Sequence, residues 1–223
     1  MQTCYIVGAG EWTARDFAPV PGDLVIAADG GLRALQTSGV RPDLLVGDLD
    51  SLGDCPLPAE LPLLRFPVRK DDTDTGLALA EGLRRGYRAF ALYGCAGGRA
   101  DHLLANFQSM AAVSRRGASV RLAAPAYDAY AVTDAALALP PRPEGTLVSV
   151  FCLGALAEGV TLTGLSYPLR DASLSPFVPL GVSNRRTADP RAAVSVRRGT
   201  LLVLQHLMPW DISAAIFPLP FPS

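Results

Sequence analysis

Short apolar segments that end in glycine or aspartate alternate with helical patterns through the first 124 residues. Cys4–Val7, Leu24–Ala28 and Leu44–Val46 are uninterrupted apolar runs, as in strands buried on both faces. Thr73–Arg85 places leucines and alanines at helical spacing, and Gly86 marks its end. The alternation predicts a parallel sheet with helices on both faces, which is a three-layer α/β domain. The predicted strands are Cys4–Val7, Leu24–Ala28, Leu44–Val46, Leu63–Val68, Ala89–Tyr93 and Val120–Ala123, and the predicted helices are Gly31–Ser38, Thr73–Arg85 and His102–Arg116.

The pattern changes after Pro125, where helical periodicity ends and short strand-like segments lie between glycine and proline turns. These segments are Tyr127–Thr133, Thr146–Leu153, Gly159–Leu162, Ala192–Val196 and Leu201–Gln205. They are typical of a small antiparallel sandwich or barrel. We therefore divide the chain into an α/β domain, residues 1–124, and a β domain, residues 125–223.

The composition argues against several classes of protein. The 223 residues are 49 % hydrophobic with a net charge of −1, so a core can form, and no basic run indicates nucleic-acid binding. Apolar stretches stop short of the ~20 residues that span a membrane, and the start resembles a strand more than a signal peptide. We expect a cytoplasmic protein that does not contact membranes. Cys4, Cys55, Cys95 and Cys152 lack CxxC spacing, so we expect buried apolar residues and no zinc site.

Two acidic clusters follow predicted strands. Asp48 and Asp50 come directly after Leu44–Val46, and in an extended chain both side chains point to the same side. Asp71 and Asp74 lie around the start of the next helix, where they share a face. A solvated turn is the alternative for the first cluster. Helix capping is the alternative for the second, although three acids in four residues exceed what capping needs.

Glycine-rich turns follow other strands. Gly94–Arg99 connects a strand to a helix, and such a loop can present backbone N–H groups to a phosphate. Asp101 either caps that helix or joins a metal shell, and His102 is a structural residue or, as the alternative, a general base. Gly8-Ala9-Gly10 and Asp29-Gly30-Gly31 are similar turns, the first without the third glycine of a dinucleotide motif.

The acids and glycines therefore converge on one edge. Carboxyl ends of parallel strands are where such sheets bind ligands. Magnesium prefers oxygen ligands and is usually held by one or two carboxylates together with substrate phosphates. The pattern predicts a Mg²⁺-dependent enzyme that binds a nucleotide at this edge.

The motifs resemble those of the thiamine pyrophosphokinase (thiamine diphosphokinase) family, in order and over nearly the whole chain. They are Asp29-Gly30-Gly31, Pro42–Ser51, Lys70–Asp74, Gly98–His102 through Asn106, Gly164–Leu169 and Gly181–Asn184. The resemblance implies an α/β catalytic domain followed by a β-sandwich, in a homodimer. It also implies transfer of the pyrophosphoryl group of ATP to the hydroxyl of thiamine, giving thiamine diphosphate and AMP.

The resemblance also implies roles for particular residues. The catalytic carboxylates are Asp48, Asp50, Asp71 and Asp74, of which Asp48, Asp50 and Asp74 hold Mg²⁺. The expected ATP-binding residues are Gly8, Asp29, Gly97, Gly98, Arg99 and Asp101. The expected thiamine-binding residues are Lys70, Tyr167, Ser183 and Asn184, the last three acting across the dimer interface. Asp71 or Asp74 accepts the proton of the thiamine hydroxyl.

The chain departs from the family pattern at two places. Ser166 replaces a usual lysine, and Arg185-Arg186 stand where relatives commonly carry an acid. Arginine near the cationic ring of thiamine is unfavourable unless it points away or meets phosphate. The alternatives are a Mg²⁺-dependent phosphohydrolase, in which water replaces thiamine, and a nucleotide-binding protein without catalysis.

Overall fold

The computed structural model describes residues 2–49, 52–53, 55–66 and 72–209. In its first half the elements are β1 (Thr3–Val7), β2 (Leu24–Ala28), α1 (Gly31–Thr37), β3 (Leu44–Gly47), β4 (Leu63–Arg65), α2 (Asp74–Arg84), β5 (Ala89–Tyr93), α3 (Ala100–Ser114) and β6 (Ser119–Ala123). In its second half they are β7 (Tyr127–Thr133), β8 (Ala136–Ala138), β9 (Thr146–Cys152), β10 (Ala157–Thr163), β11 (Leu169–Leu174), β12 (Gly181–Arg185), β13 (Ala193–Ser195) and β14 (Thr200–Pro209).

Ten of these strands form one sheet, in the order β12-β9-β14-β7-β6-β5-β1-β2-β3-β4. The six strands from β6 to β4 are parallel, and β7, β14, β9 and β12 continue the sheet in antiparallel fashion. The predicted boundary after residue 124 lies in the turn between β6 and β7. These two strands are hydrogen-bonded neighbours, with Ala123 opposite Asp128.

Helices cover both faces of the parallel part. On one face α1 packs Leu32 and Leu35 into a fully buried cluster. On the other face α2 and α3 bury Leu79 and Met110. Burial on both faces explains why these strands are continuous apolar runs in the sequence. The three-layer α/β arrangement is confirmed.

The second half is a β-sandwich. A four-stranded sheet, β11-β10-β13-β8, faces the antiparallel end of the large sheet. Val160 of β10 and Val194 of β13 share a buried core with Val150 of β9 and Val203 of β14. The prediction of an antiparallel β-sandwich after the α/β part is therefore confirmed, although four of its strands extend the first sheet.

Three strands escaped prediction, and all lie at sheet edges. β11 and β8 are the edges of the small sheet, and β12 is an edge of the large one. Most of the β11 residues are exposed or half-buried, so its sequence lacks the apolar alternation that marks a strand. β14 extends to Pro209, beyond the predicted Gln205. Residues 67 and 68 of the predicted strand Leu63–Val68 lie outside the described residues.

One buried carboxylate ties the two halves together. Asp128, at the start of β7, is 1 % exposed and binds three arginines. Its oxygens lie 2.8 Å from Arg15 Nη2, 3.1 Å from Arg121 Nε and 3.0 Å from Arg142 Nη2. Arg15 belongs to the loop after β1, Arg121 to β6, and Arg142 to the loop before β9. Partners of this kind are what a buried charge requires.

The cysteines match expectation in part. All four are free; Cys4, Cys95 and Cys152 are buried, whereas Cys55 is half-buried beside Gln36. Among the described residues, no helix has the length and apolar character needed to cross a membrane.

Candidate active site

A cavity of about 420 Å³ opens at the carboxyl ends of β1 and β5. The chain proceeds from β1 to β2 on one side of this point and from β5 to β6 on the other. Ligands bind at such reversals of strand order in open parallel sheets. The cavity is lined by the turns after β1, β2 and β5, by the start of α2 and by the first two turns of α3.

The turn after β1 forms a wall of the cavity. Gly8 N donates to Tyr93 O at 2.8 Å and Gly10 N donates to Gly94 O at 2.7 Å. A Cβ on Gly10 would overlap Ala96 O, so only glycine permits this approach of two backbones. Because both N–H groups are used within the protein, Gly8 and Gly10 shape the cavity without offering it these donors.

The turn after β5 has the opposite character. Gly97 and Gly98 are consecutive left-handed residues, with φ of 78° and 64°. Their N–H groups have no acceptor among the described residues, and both glycines line the cavity. Successive N–H groups in such a conformation form a concave site for anions. Gly97 and Gly98 have the backbone geometry that a phosphate loop needs, and their role in binding phosphate stays a prediction.

Arg99 and Asp101 form an exposed ion pair at the start of α3. Arg99 Nη2 lies 2.5 Å from Asp101 Oδ2, and Arg99 Nε donates to Asp101 Oδ1 at 3.1 Å. The hydrogen bond from Arg99 lowers the pKa of Asp101. Arg99 and His102 line the cavity, whereas Asp101 does not and instead accepts from His102 N. The geometry favours Asp101 as a partner of Arg99 and as an acid in the first turn of α3, and no side chain caps that helix end among the described residues.

Two acids lie around Gly47, at the end of β3. A Cβ placed on Gly47 would be 3.0 Å from Asp29 Cβ and 3.2 Å from Asp74 Oδ1. Asp29 follows β2 with a left-handed φ of 46° and is only 5 % exposed. Its Oδ1 is buried without a hydrogen-bond partner among the described residues. Asp48, next to Gly47, is half-buried. Three carboxylates thus follow or face the ends of β2 and β3.

The expected extended chain from Asp48 to Asp50 is not found. Leu49 has a φ of 75°, so the backbone turns immediately after Asp48. Its side chain packs against the core beneath α1, and its carbonyl accepts from Leu52 N at 3.4 Å. The turn lets the partly buried Leu49 side chain pack against that core, which sequence alternation did not reveal. Asp50 lies outside the described residues.

The start of α2 adds two acids to the cavity lining, Asp72 and Asp74. Thr73 caps the helix, since its Oγ1 accepts from Gly76 N at 3.0 Å. Asp72 Oδ1 accepts from Thr73 N at 2.7 Å, and a Cβ on Gly76 would overlap that oxygen. Capping thus explains Thr73. Asp72 was not among the predicted site residues, because nothing in a run of acids marks which one turns inward. Lys70 and Asp71 lie outside the described residues.

The predicted thiamine residues of the second half lie elsewhere. Tyr167, Ser183 and Asn184 are not among the residues that line the cavity. Tyr167 is 69 % exposed. Ser183 has a left-handed φ of 58°, and its N donates to Ser149 Oγ at 3.1 Å. The amide of Asn184 bonds to backbone groups, including those of Tyr167. Within one chain these residues form a separate group from the cavity.

Tyr167 is an exposed apolar residue whose backbone bonds to Asn184 of β12, the edge strand of the large sheet. Four other exposed apolar residues belong to β12 or to the loop before it, namely Phe177, Val178, Leu180 and Val182. We call these five residues the apolar edge. Clustered exposed apolar side chains at a sheet edge mark a protein–protein contact in many proteins.

Arg185 and Arg186 contact backbone carbonyls of the loop before β9. Arg186 is buried, and its Nη1 donates to Pro140 O at 3.1 Å. Arg185 Nη1 lies 3.5 Å from Gly145 O. Burial lowers the pKa of Arg186. Both guanidinium groups contact the loop before β9.

Comparison with known proteins identifies two consecutive family segments. Residues 21–122 match the family described as "Thiamin pyrophosphokinase, catalytic domain", and residues 136–201 match "Thiamin pyrophosphokinase, vitamin B1 binding domain". The chain is 26 % identical to a protein named thiamine pyrophosphokinase from Bacillus subtilis, over 82 % of this chain and 86 % of that protein.

Solved structures give the same match across the whole fold. The crystal structure of thiamine pyrophosphokinase from Bacillus subtilis superposes with a TM-score of 0.78 at 23 % identity, covering 92 % of this chain and 99 % of that one. A thiamin pyrophosphokinase family protein from Enterococcus faecalis superposes with a TM-score of 0.73 at 28 % identity, with coverage of 92 % and 99 %.

Proposed function

Because the chain belongs to the thiamine pyrophosphokinase family, a family of transferases, we propose that it transfers the pyrophosphoryl group of ATP to the hydroxyl of thiamine. The observation that carries this assignment is the composition of the cavity. Gly97 and Gly98, whose N–H groups have no acceptor in the described part of the chain, line the same cavity as Asp29 and Asp74. Anion-binding donors and cation-binding oxygens in one cavity suit a polyphosphate with its divalent ion.

Mg²⁺ fits the residues present. Within the described ranges, no group of three histidine, cysteine or acidic side chains is close enough to bind a metal by itself. Magnesium does not need such a group, because it usually combines one or two carboxylates with phosphate oxygens and waters. The buried, unpaired Oδ1 of Asp29 is an oxygen that a cation would satisfy. Asp48 and Asp74, with Asp50 as predicted from sequence, would hold the ion, which would offset the charge of the phosphates.

The protein groups act mainly by positioning and by electrostatics. Gly97 and Gly98 hold phosphate oxygens, and Arg99 exchanges Asp101 for phosphate. The thiamine oxygen attacks the β-phosphorus in line. The bond between the β-phosphorus and the α–β bridging oxygen breaks, and AMP leaves with that oxygen. The hydroxyl proton passes to Asp71 or Asp74, which remain alternatives.

Thiamine is proposed to bind between two copies of the chain. The residues of the second half that the family resemblance assigns to thiamine lie outside the cavity, so a second copy would bring Tyr167 to it. The apolar edge supports this arrangement, because such a surface is covered in a homodimer. A cytoplasmic location remains a prediction from sequence.

One assay tests the proposal. The purified protein is incubated with Mg²⁺, ATP and thiamine, and the products are separated by chromatography. We expect AMP and thiamine diphosphate in equal amounts, and no ATP loss when thiamine is omitted. Loss of ATP without thiamine would indicate a phosphohydrolase, and ATP binding without AMP under any condition would indicate a non-catalytic protein.

A further inference from the structure

A hydrogen bond fixes the orientation of the Asn106 side-chain amide. Asn106 lies in the second turn of α3, is 7 % exposed and lines the cavity. Its Nδ2 donates to Cys95 O at 2.8 Å. A carbonyl oxygen can only accept a hydrogen bond, so the nitrogen of the amide must face Cys95. The oxygen of the amide therefore faces the other way.

That oxygen is an acceptor without a donor. Asn106 Oδ1 has no hydrogen-bond partner among the described residues, and it is not one of their buried unpaired atoms, unlike Asp29 Oδ1. It is thus accessible, and the surface that Asn106 exposes belongs to the cavity wall. An acceptor in a cavity wall selects ligands that place a donor against it, because a ligand without that donor leaves the oxygen unsatisfied.

The ligand group can be deduced from this chemistry. Phosphate oxygens are acceptors at neutral pH and do not complement an amide oxygen. The carboxylates follow β2 and β3 or begin α2, whereas Asn106 contacts the turn after β5 through its bond to Cys95. With the phosphates at that turn, as proposed, the ribose and base are the remaining parts of the nucleotide that can reach α3. These parts carry hydroxyl and amino donors.

We propose that Asn106 Oδ1 accepts a hydrogen bond from a hydroxyl or amino group of the nucleoside part of the bound nucleotide, which makes Asn106 a specificity-determining residue. The proposal rests on the proposed use of ATP. It does not depend on thiamine as the acceptor, so it can be tested by equilibrium binding alone.

The test compares four nucleotides by calorimetry in the presence of Mg²⁺ and without thiamine. These are ATP, 2′-deoxy-ATP, 3′-deoxy-ATP and purine riboside triphosphate, which lacks the amino group. We expect one analogue to bind the wild-type protein about tenfold more weakly than ATP, as loss of one such hydrogen bond implies. In Asn106→Leu, ATP and that analogue should bind equally well, because the acceptor is gone.

A purely structural role gives a different result. If Asn106 only holds the Cys95 turn, Asn106→Leu weakens all four nucleotides by the same factor and the wild-type ratio persists, which overturns the proposal. Equal binding of all four nucleotides, or binding of none, to the wild-type protein overturns it without any variant. Asn106→Ala serves as a second variant if the leucine protein does not fold.

A control variant and a separate assay complete the design. Gln108 is exposed on the same helix and does not line the cavity, so Gln108→Leu should keep the wild-type ratios. Thiamine diphosphate formation is measured independently. If the selectivity depends on Asn106 but no thiamine diphosphate forms, the inference about Asn106 stands and the proposed reaction fails. If thiamine diphosphate forms but the ratios are unaffected by Asn106→Leu, the reaction stands and the inference fails.

Discussion

The side chain of Asn184 holds the backbone of Tyr167 at both of its polar groups. Asn184 Oδ1 accepts from Tyr167 N at 2.9 Å, and Asn184 Nδ2 donates to Tyr167 O at 2.7 Å. The same oxygen accepts from Arg185 N at 2.9 Å. Both acceptor positions of the oxygen and one of the two N–H groups are therefore engaged, and in the proposed function Asn184 would position Tyr167. A fixed backbone presents the exposed ring at little entropic cost on binding.

Tyr167→Ala should raise the KM for thiamine by about tenfold or more, because an aromatic contact with the ligand is lost. The KM for ATP should stay unchanged, and so should the free energy of unfolding, within about 0.5 kcal/mol, since the ring is exposed. Steady-state kinetics with each substrate varied in turn measures the effect. Val20→Ala, another exposed apolar side chain, is the control. An unchanged KM for thiamine would contradict the role of Tyr167.

Mixing two impaired variants, assayed at a thiamine concentration below the wild-type KM, tests whether each site is shared between chains. Asp74→Asn disables the cavity of its own chain, and Tyr167→Ala disables the surface offered to the partner. In a dimer with one chain of each kind, one site carries both changes and the other carries neither. Equal mixing after unfolding and refolding should restore about a quarter of wild-type activity. Activity that never exceeds the sum of the separate variants would show that sites are not shared.

Removing the charge of one proposed metal-binding carboxylate should stop the reaction. Asp48→Asn and Asp74→Asn should each lower the rate of AMP formation by about 100-fold or more, because an amide binds more weakly the Mg²⁺ that would offset the phosphate charge. Circular dichroism and thermal unfolding should show an intact fold. Glu144→Gln, an exposed acid before β9, is the matched control. Wild-type turnover in either aspartate variant would refute the assignment.

Two glycines have the same backbone geometry, and only one of them lines the cavity. Alanine variants at both positions therefore separate an effect on ATP binding from the effect of backbone strain. Gly98 and Gly117 have φ of 64° and 76°, and at either position an added methyl group would have no described atom within 4 Å. Alanine at either site should cost about 1–2 kcal/mol of stability, from the left-handed backbone alone. Only Gly98→Ala should also weaken ATP binding, because it disturbs the N–H groups that face the cavity. Equal ATP affinity in both variants would remove Gly98 from the phosphate site.

Stability should fall in acid through Glu81 of α2. Glu81 accepts hydrogen bonds from Arg84 and Arg85, both at 2.7 Å, and the bond from Arg84 is the largest cause that lowers the pKa of Glu81 from 4.5 to about 2. A carboxylate with a lowered pKa contributes stability above its unfolded-state pKa and loses it as the pH falls to the folded-state value. Urea unfolding between pH 4.5 and 2 should therefore show a loss of stability that is smaller in Glu81→Gln. Identical losses would contradict the pairing.

The interior strands were easier to predict from sequence than the edges. β1, β2 and β3 are almost entirely apolar because both of their faces are buried. β11 and β12 lie at sheet edges and are exposed on one side. Their sequences therefore lack a regular alternation of apolar and polar residues. These edge strands were therefore identified only in the structure.

The sequence predicted where in the fold the candidate site lies, but not the hydrogen bonds within it. Glycines and aspartates at strand ends indicated the correct edge of the sheet, since topology alone brings those ends together. The N–H groups of Gly8 and Gly10 donate hydrogen bonds to carbonyl groups at the end of β5 and in the turn after it. No local sequence pattern predicts this tertiary contact. Asn106 is one of several polar residues of α3, and although it lies in a motif of the family resemblance, its spacing does not show that its amide lines a cavity.

The continuous sheet has a practical consequence for anyone who produces parts of this protein. A fragment that ends at residue 124 would leave unpaired the edge of β6 that bonds to β7. The complementary fragment would leave the matching edge of β7 unpaired. Bare strands of this kind pair with other chains. Arg15 and Arg121 would also lose Asp128, the acid that neutralises them. We therefore expect either fragment to precipitate, whereas co-expression of both would allow them to reassemble along that seam.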